Sequence, residues 1–144
     1  SRLEDEAGLR QSQAIVQQLL DREAQRGVAP ERTVLMGFSQ GCAMTLLAGL
    51  RAPQRLAGLV ALSGYLPLAA TTAAERHAAN AGTPVFMAHG RFDEVVVPAR
   101  GEAARDALRA LGQPVDWFDY PMGHEVCMDE LQELQAWLLR QLAG

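Results

Sequence analysis

Hydrophobic residues recur every three or four positions in four segments of the chain, and this is the spacing of an amphipathic helix. The pattern predicts helices at about residues 5–26, 40–50, 99–111 and 128–142. Residues 68–82 are rich in alanine and contain one polar segment, so they predict a loop with a short helix.

Four short apolar runs between these helices predict β-strands at residues 33–38, 57–62, 83–88 and 115–120. The second run is apolar throughout, as expected for a strand whose sheet is covered on both faces. Strand and helix alternate four times without a linker or an internal repeat. The alternation predicts one α/β domain over residues 1–144, with a mostly parallel, doubly wound sheet of about four strands. Ligands of such sheets bind at the carboxyl ends of the strands.

The first strand ends in the pentad Gly37-Phe38-Ser39-Gln40-Gly41, which fits G-x-S-x-G, the nucleophile elbow of α/β-hydrolases. A sharp strand-to-helix turn would hold Ser39 in a sparsely populated backbone conformation and present its hydroxyl above the sheet. We expect both glycines to be needed, because the helix passes so close to the strand that side chains there would collide. The Gln40 N–H, at the helix N-terminus, is a candidate oxyanion donor.

A serine hydroxyl is a poor nucleophile at neutral pH and needs a base within hydrogen-bond reach. His124 follows Gly123 in a turn after the fourth strand, and it is the predicted base. His77 lies in a polar helical segment and is predicted to be solvated. His89 sits at the end of the third strand, where we expect a local hydrogen bond that shapes the following loop.

The acid that orients the histidine is predicted to be Asp93, in the loop after the third strand. Glu94, Asp116 and Asp119 are the alternatives. The last two fall inside the fourth strand pattern, where at least one must face solvent or a neighbour. The chain order Ser, Asp, His is that of α/β-hydrolases.

The composition of the chain also bears on which classes of function to expect. The chain has 144 residues, is 49% hydrophobic and carries a formal net charge of -4, which gives no reason to expect nucleic acid as a partner. No apolar run approaches the roughly 20 residues of a membrane span, and residues 1–6 do not resemble a signal peptide. Two cysteines fit reduced thiols in a cytoplasmic protein. The histidines and cysteines lack metal-ligand spacing, so no metal is expected.

Three motifs carry a family resemblance: residues 37–41, residues 89–96 (His-Gly-Arg-Phe-Asp-Glu-Val-Val) and residues 120–126 (Tyr-Pro-Met-Gly-His-Glu-Val). Residues 4–8 and 63–67 add to it. Across nearly its whole length the chain resembles the carboxylesterase/acyl-protein thioesterase family, the phospholipase/carboxylesterase group of α/β-hydrolases. The resemblance is strongest to the bacterial carboxylesterase branch.

This resemblance implies an α/β-hydrolase fold with Ser39 as nucleophile, Asp93 as acid and His124 as base. It implies hydrolysis of small-molecule esters or thioesters with short-to-medium acyl chains, and no cofactor. It also implies that the loop near Leu66 borders the acyl site, which makes Leu66 a predicted substrate contact.

The sequence departs from the family pattern in three places. Cys42 stands where many members have glycine. The proline that often follows the aspartate loop falls one position later in this chain, at Pro98. Members also begin with strands that supply a Leu-His-Gly-type loop, whose backbone N–H completes the oxyanion hole, and no such motif precedes Ser39. Losing one oxyanion donor costs about 10²–10³ in rate. We therefore expect this chain to be the C-terminal part of a longer hydrolase, with missing N-terminal strands and with its own N-terminal segment as a partner.

Two hypotheses follow for the function. The first is a serine hydrolase that works through an acyl-enzyme intermediate. The second is a catalytically silent hydrolase-fold fragment that binds an acyl ligand or a partner chain, which an open sheet edge and half an oxyanion hole would suit. Turnover of a p-nitrophenyl ester by the chain discriminates between them.

Overall fold

The computed structural model describes residues 5–143, and these residues contain five α-helices and four β-strands. Both kinds of element alternate along the chain as the hydrophobic pattern predicts. The helices are α1 (Glu6–Gln25), α2 (Gln40–Arg51), α3 (Ala69–Glu75), α4 (Pro98–Ala110) and α5 (Met128–Leu142). The strands are β1 (Val34–Phe38), β2 (Gly58–Leu62), β3 (Val85–Gly90) and β4 (Val115–Tyr120).

The four strands form one parallel sheet in the order β1-β2-β3-β4. Near its carboxyl edge, Phe38 lies opposite Leu62, Leu62 opposite Ala88, and Ala88 opposite Phe118. The strands therefore end side by side, which brings the loops that follow them together. Within the described residues no strand pairs with the outer edge of β1.

Both faces of the sheet are covered, because alternate residues of the central strands enter two different cores. Leu59 and Ala61 of β2 pack with α1, α2 and α4 on one face. Val60 and Leu62 pack with α5 on the other face, where Trp137 is fully buried. Burial on both faces explains why β2 is apolar throughout. The prediction of a doubly covered α/β sheet is confirmed.

One carboxylate, that of Glu75, connects the first helix to two others. Arg10 of α1 donates two hydrogen bonds to Glu75 of α3, and Arg51 of α2 donates a third at 2.8 Å. These bonds, the one from Arg10 first, lower the pKa of Glu75 to about 2. Asp5 caps the N-terminus of α1 by accepting from the Gly8 N–H, whereas Glu4 of the same predicted motif lies outside the described residues. The pairing of Glu75 with two arginines holds α1 to the C-terminal end of α2.

The predicted boundaries agree with the structure to within a few residues. The main difference is that β3 continues through His89 and Gly90, which pair with Asp119 and Tyr120 of β4. His89 is consequently a buried residue of β3 itself, just beyond the range of 83–88 predicted for this strand. No helix among residues 5–143 is both long enough and apolar enough to span a membrane.

Candidate active site

Ser39 occupies the single residue between β1 and α2. Its backbone has φ 61° and ψ −116°, a conformation that L-residues rarely adopt and that clusters at functional sites. The Ser39 N–H donates to the carbonyl of Leu62 at 2.8 Å, which ties the turn to the neighbouring strand. The strained turn places the serine at the carboxyl edge of the sheet, as the G-x-S-x-G pattern predicts.

Only one of the two glycine positions in the turn requires glycine. The expectation that both are needed is therefore wrong for Gly41. A Cβ at Gly37 would lie 2.1 Å from the carbonyl carbon and oxygen of Gly41. A Cβ at Gly41 would meet nothing within 4 Å. The helix approaches the strand with the backbone of Gly41, whereas the Cβ position of that residue faces open space.

Gly37→Ala is expected to lower the free energy of unfolding by about 3 kcal/mol or more, because backbone atoms of the helix would have to move. Gly41→Ala serves as the matched control. It adds a methyl group in open space within a helix and should change stability by about 1 kcal/mol at most. Urea unfolding followed by circular dichroism measures both variants. An equal loss in the two would contradict this explanation of the turn.

His124 lies within hydrogen-bond distance of both other predicted triad members. Its Nε2 is 3.0 Å from the Ser39 Oγ, and its Nδ1 is 2.7 Å from Oδ2 of Asp93. An ionised carboxylate only accepts hydrogen bonds, so Nδ1 carries the proton and Nε2 is left to accept from the serine hydroxyl. The ring of Phe38 contacts the imidazole at a centroid distance of 4.8 Å. This is the tautomer that a general base opposite a serine requires.

Asp93 is buried, and each of its oxygens has a hydrogen-bond partner. Oδ1 accepts from the backbone N–H groups of Val95 and Val96, both at 2.9 Å, and Oδ2 accepts from His124. Burial by itself raises the pKa of Asp93, but the bonds from His124, Val96 and Val95 outweigh it and the pKa is lowered. The carboxylate is therefore ionised and aimed at the imidazole.

The alternative acids and His77 are exposed, and three of these four residues have other hydrogen-bond partners. Asp116 is exposed and accepts from the indole of Trp137, and Asp119 pairs with Arg91 at 2.8 Å. Glu94 is exposed. His77 is also exposed, and its Nδ1 accepts from the Ala79 N–H.

A cavity of about 310 Å³ opens next to the nucleophile turn, between the first turns of α1 and α2. Gln40 lines it, and Gln40 is also the first residue of α2, where N–H groups have no partner within the helix. The apolar side chains of Leu9 and Met44 line it as well, together with the ring of Tyr65. The first N–H groups of a helix stabilise negative charge, so this side of Ser39 suits an oxyanion.

Leu66 lies on a second, smaller cavity. Its side chain is buried against α4 and lines a space of about 160 Å³ together with alanines of α4. Tyr65 lines both cavities, and the guanidinium of Arg100 lies 3.9 Å above its ring. Sequence reasoning did not single out Tyr65; its place directly before Leu66 in the loop after β2 was the available signal.

The described residues hold no group of three or more His, Cys, Asp or Glu side chains arranged to bind a metal ion. Cys42 is buried beneath the nucleophile turn, and desolvation raises the pKa of its thiol to about 12. The thiol therefore remains protonated and is not a competing nucleophile.

Comparison with known proteins gives consistent results. Acyl-protein thioesterase 1 of Gibberella zeae is 44% identical over 98% of this chain and 61% of its own length. Carboxylesterase SOBER1 of Arabidopsis thaliana is 31% identical over 97% of this chain and 62% of its own. The crystal structure of SOBER1 superposes with a TM-score of 0.91 at 30% identity, covering 96% of this chain and 66% of that one. The chain thus spans about three fifths of the length of these curated relatives.

The family described as Phospholipase/Carboxylesterase matches residues 1–141, nearly the whole chain. The SOBER1 structure superposes on nearly all of the sheet and the flanking helices described above. The chain therefore belongs to the phospholipase/carboxylesterase family of α/β-hydrolases.

Proposed function

We propose that this protein is a serine hydrolase that cleaves esters or thioesters of short-to-medium acyl chains. The observation that carries the proposal is the continuous hydrogen-bond chain from Ser39 through His124 to Asp93. Relatives named acyl-protein thioesterase and carboxylesterase support it. The free cysteines of the described chain support a cytoplasmic location.

The geometry is suited to a two-step acyl transfer. Ser39 Oγ attacks the carbonyl carbon of the substrate while its proton passes to Nε2 of His124. The tetrahedral intermediate collapses, the bond to the alcohol or thiol breaks, and the leaving group takes the proton from Nε2. Water then attacks the acyl-serine with His124 again as base, which releases the carboxylic acid and restores the hydroxyl. Asp93 stabilises the imidazolium in both steps.

The oxyanion of each tetrahedral intermediate needs backbone donors close to Ser39. The Gln40 N–H is one, because it opens α2 directly after the nucleophile. We propose that a second donor comes from outside the described residues, from the protein's own N-terminal segment. On this proposal the segment also covers the outer edge of β1, where Met36 and Phe38 are 51% and 38% exposed.

The acyl chain of the substrate is proposed to enter the cavity beside Gln40. About 310 Å³ lies at the lower end of the range for small-molecule pockets, which favours a short chain. Tyr65 would bound this site, and Leu66 would support Tyr65 from the second cavity rather than line the first.

Labelling with an alkyl fluorophosphonate tests the proposed nucleophile. The reagent should modify the protein once, at Ser39, as read by intact mass and peptide mapping, and Ser39→Ala should not react. Ser63→Ala is the matched control, because Ser63 is a buried serine that also has a positive φ, 55°, at the end of the next strand. Labelling that survives in Ser39→Ala, or that is lost in Ser63→Ala, would overturn the assignment.

The same reaction examines the acyl site if the alkyl group is lengthened from ethyl to butyl to octyl. The proposed cavity predicts slower labelling with the octyl reagent, because its volume of about 310 Å³ is small for a ligand site. A catalytically silent binding fragment would instead show no covalent labelling and no turnover of p-nitrophenyl butyrate.

A further inference from the structure

His89 is the one histidine that is almost fully buried, at 1% exposure, and it lies next to the acid of the triad. Its Nε2 is 2.8 Å from the carbonyl oxygen of Val96 and 3.5 Å from Oδ2 of Asp93. A carbonyl only accepts, so Nε2 must carry a proton and donate it to Val96. That N–H also presents its positive end to the carboxylate oxygen that accepts from His124.

Val96 connects His89 to Asp93 through its own backbone. Its N–H donates to Oδ1 of Asp93 at 2.9 Å, and its carbonyl accepts from His89. His89 thus holds the loop after β3 at Val96, the residue whose N–H is bonded to the Asp93 carboxylate. If the bond from His89 were lost, the peptide that orients Oδ1 would be released and Oδ2 would lose its fixed direction toward His124.

The imidazole of His89 has little room to reorient. A Cβ built on Gly101 of α4 would lie 2.4 Å from its Nδ1, so the backbone of that helix passes against the ring. On another side the indole of Trp117 is stacked on it, with ring centroids 6.3 Å apart and planes inclined by 20°. The donor is therefore held in place by β3, α4 and β4 together.

We propose that His89 is a positioning residue of the hydrolytic site, which holds Asp93 in line with His124 through the carbonyl of Val96. The proposal rests on the proposed function. On this proposal the hydrolytic rate depends measurably on a buried histidine outside the triad. The rate also depends on Gly101, although α4 contributes no residue to the triad.

His89→Leu removes the donor while keeping an apolar side chain in the core, and His89→Gln places an amide N–H near the former Nε2. With p-nitrophenyl butyrate, His89→Leu should lower kcat by about 10²-fold with little change in KM, because misplacement of a catalytic group has that scale. His89→Gln should recover most of the loss. The downfield proton NMR signal of the bond between His124 and Asp93 should weaken or shift in His89→Leu and return in His89→Gln.

Gly101→Ala tests the same link without touching the histidine. The added methyl group would overlap Nδ1 of His89, so the ring must shift relative to the Val96 carbonyl and kcat should fall. Alanine is favoured over glycine within a helix, which offsets part of the cost of this overlap. Gly82→Ala is the matched control, since its Cβ would meet only Arg55 Nη1 at 4.0 Å, and its kcat should equal that of the wild type. If His89→Leu fails to fold, Gly101→Ala decides the question.

The outcomes separate this inference from the function on which it rests. A wild-type protein that neither hydrolyses the ester nor reacts at Ser39 would overturn the proposed function. A wild-type protein that is active, with a folded His89→Leu or Gly101→Ala variant of equal kcat, would overturn the positioning role alone. A fall in stability that is equal in His89→Leu and His89→Gln, with kcat of the folded protein unchanged, would show that His89 serves packing only.

Discussion

Replacing His124 by glutamine is expected to lower kcat for ester hydrolysis by about 10⁴-fold or more, the scale on which triads lose rate without their histidine. Nε2 of His124 is 3.0 Å from the Ser39 Oγ and is the proposed base for the hydroxyl proton. A glutamine amide fills similar space but does not accept a proton at neutral pH. KM should change little, because the imidazole acts mainly in the transition state. Steady-state kinetics with p-nitrophenyl butyrate measure both constants.

His77→Gln is the control for this substitution. His77 is exposed, and the one hydrogen bond that the described structure gives its side chain caps the short turn at Ala78–Asn80. Its kcat should equal that of the wild type. Unchanged activity in His124→Gln would remove His124 as the base, and a comparable loss in His77→Gln would show that the assay does not isolate the site.

Asp93→Asn is expected to lower kcat by about 10⁴-fold, although it changes only one oxygen to an amide nitrogen. The asparagine Oδ1 must keep the two bonds from the Val95 and Val96 N–H groups, so its NH₂ group faces Nδ1 of His124. A donor there favours the imidazole tautomer with its proton on Nε2. That tautomer cannot accept the proton of Ser39. Asp119→Asn, at an exposed aspartate paired with Arg91, is the matched control and should keep its kcat.

Because the pKa of Asp93 is lowered, Asp93→Asn should also change how the stability of the protein depends on pH. A carboxyl whose pKa is lower in the folded than in the unfolded protein adds stability above about pH 4, its unfolded value. The stabilisation is lost as pH falls through the folded pKa. Wild type should thus be more stable than Asp93→Asn at neutral pH, with the difference shrinking in acid. Urea unfolding at a series of pH values measures it, and a constant difference would contradict the direction of the shift.

Most of the fold could be predicted from local patterns. The apolar period distinguishes the helices from the strands, and the range predicted for β4, residues 115–120, matches the structure. The extension of β3 through His89 and Gly90 escaped prediction, because a histidine and a glycine carry no strand signal. Pairing with Asp119 and Tyr120 of β4 decides their conformation. The stronger resemblance to the bacterial carboxylesterase branch of the family stays a prediction.

The candidate site was predictable in its residues and less so in its surroundings. Ser39, Asp93 and His124 follow strands whose carboxyl ends meet at one edge, so a parallel sheet makes their proximity an expectation. A side chain has room at position 41 but not at position 37, and this difference depends on the angle at which α2 leaves the turn. That angle cannot be read from G-x-S-x-G.

The sequence by itself determined the alternation of strands and helices, and it was enough to propose three triad residues in their order along the chain. These depend on burial periodicity and turn chemistry, which act between residues a few positions apart. Only the tertiary structure decided that His124 comes within 3.0 Å of a serine 85 positions earlier. The tertiary structure also decided that His89 is bonded to Val96, and that Leu66 and Gln40 border different cavities. Such distances are set by strand register and by the packing of α4 and α5 on opposite faces of the sheet, and no local pattern records either.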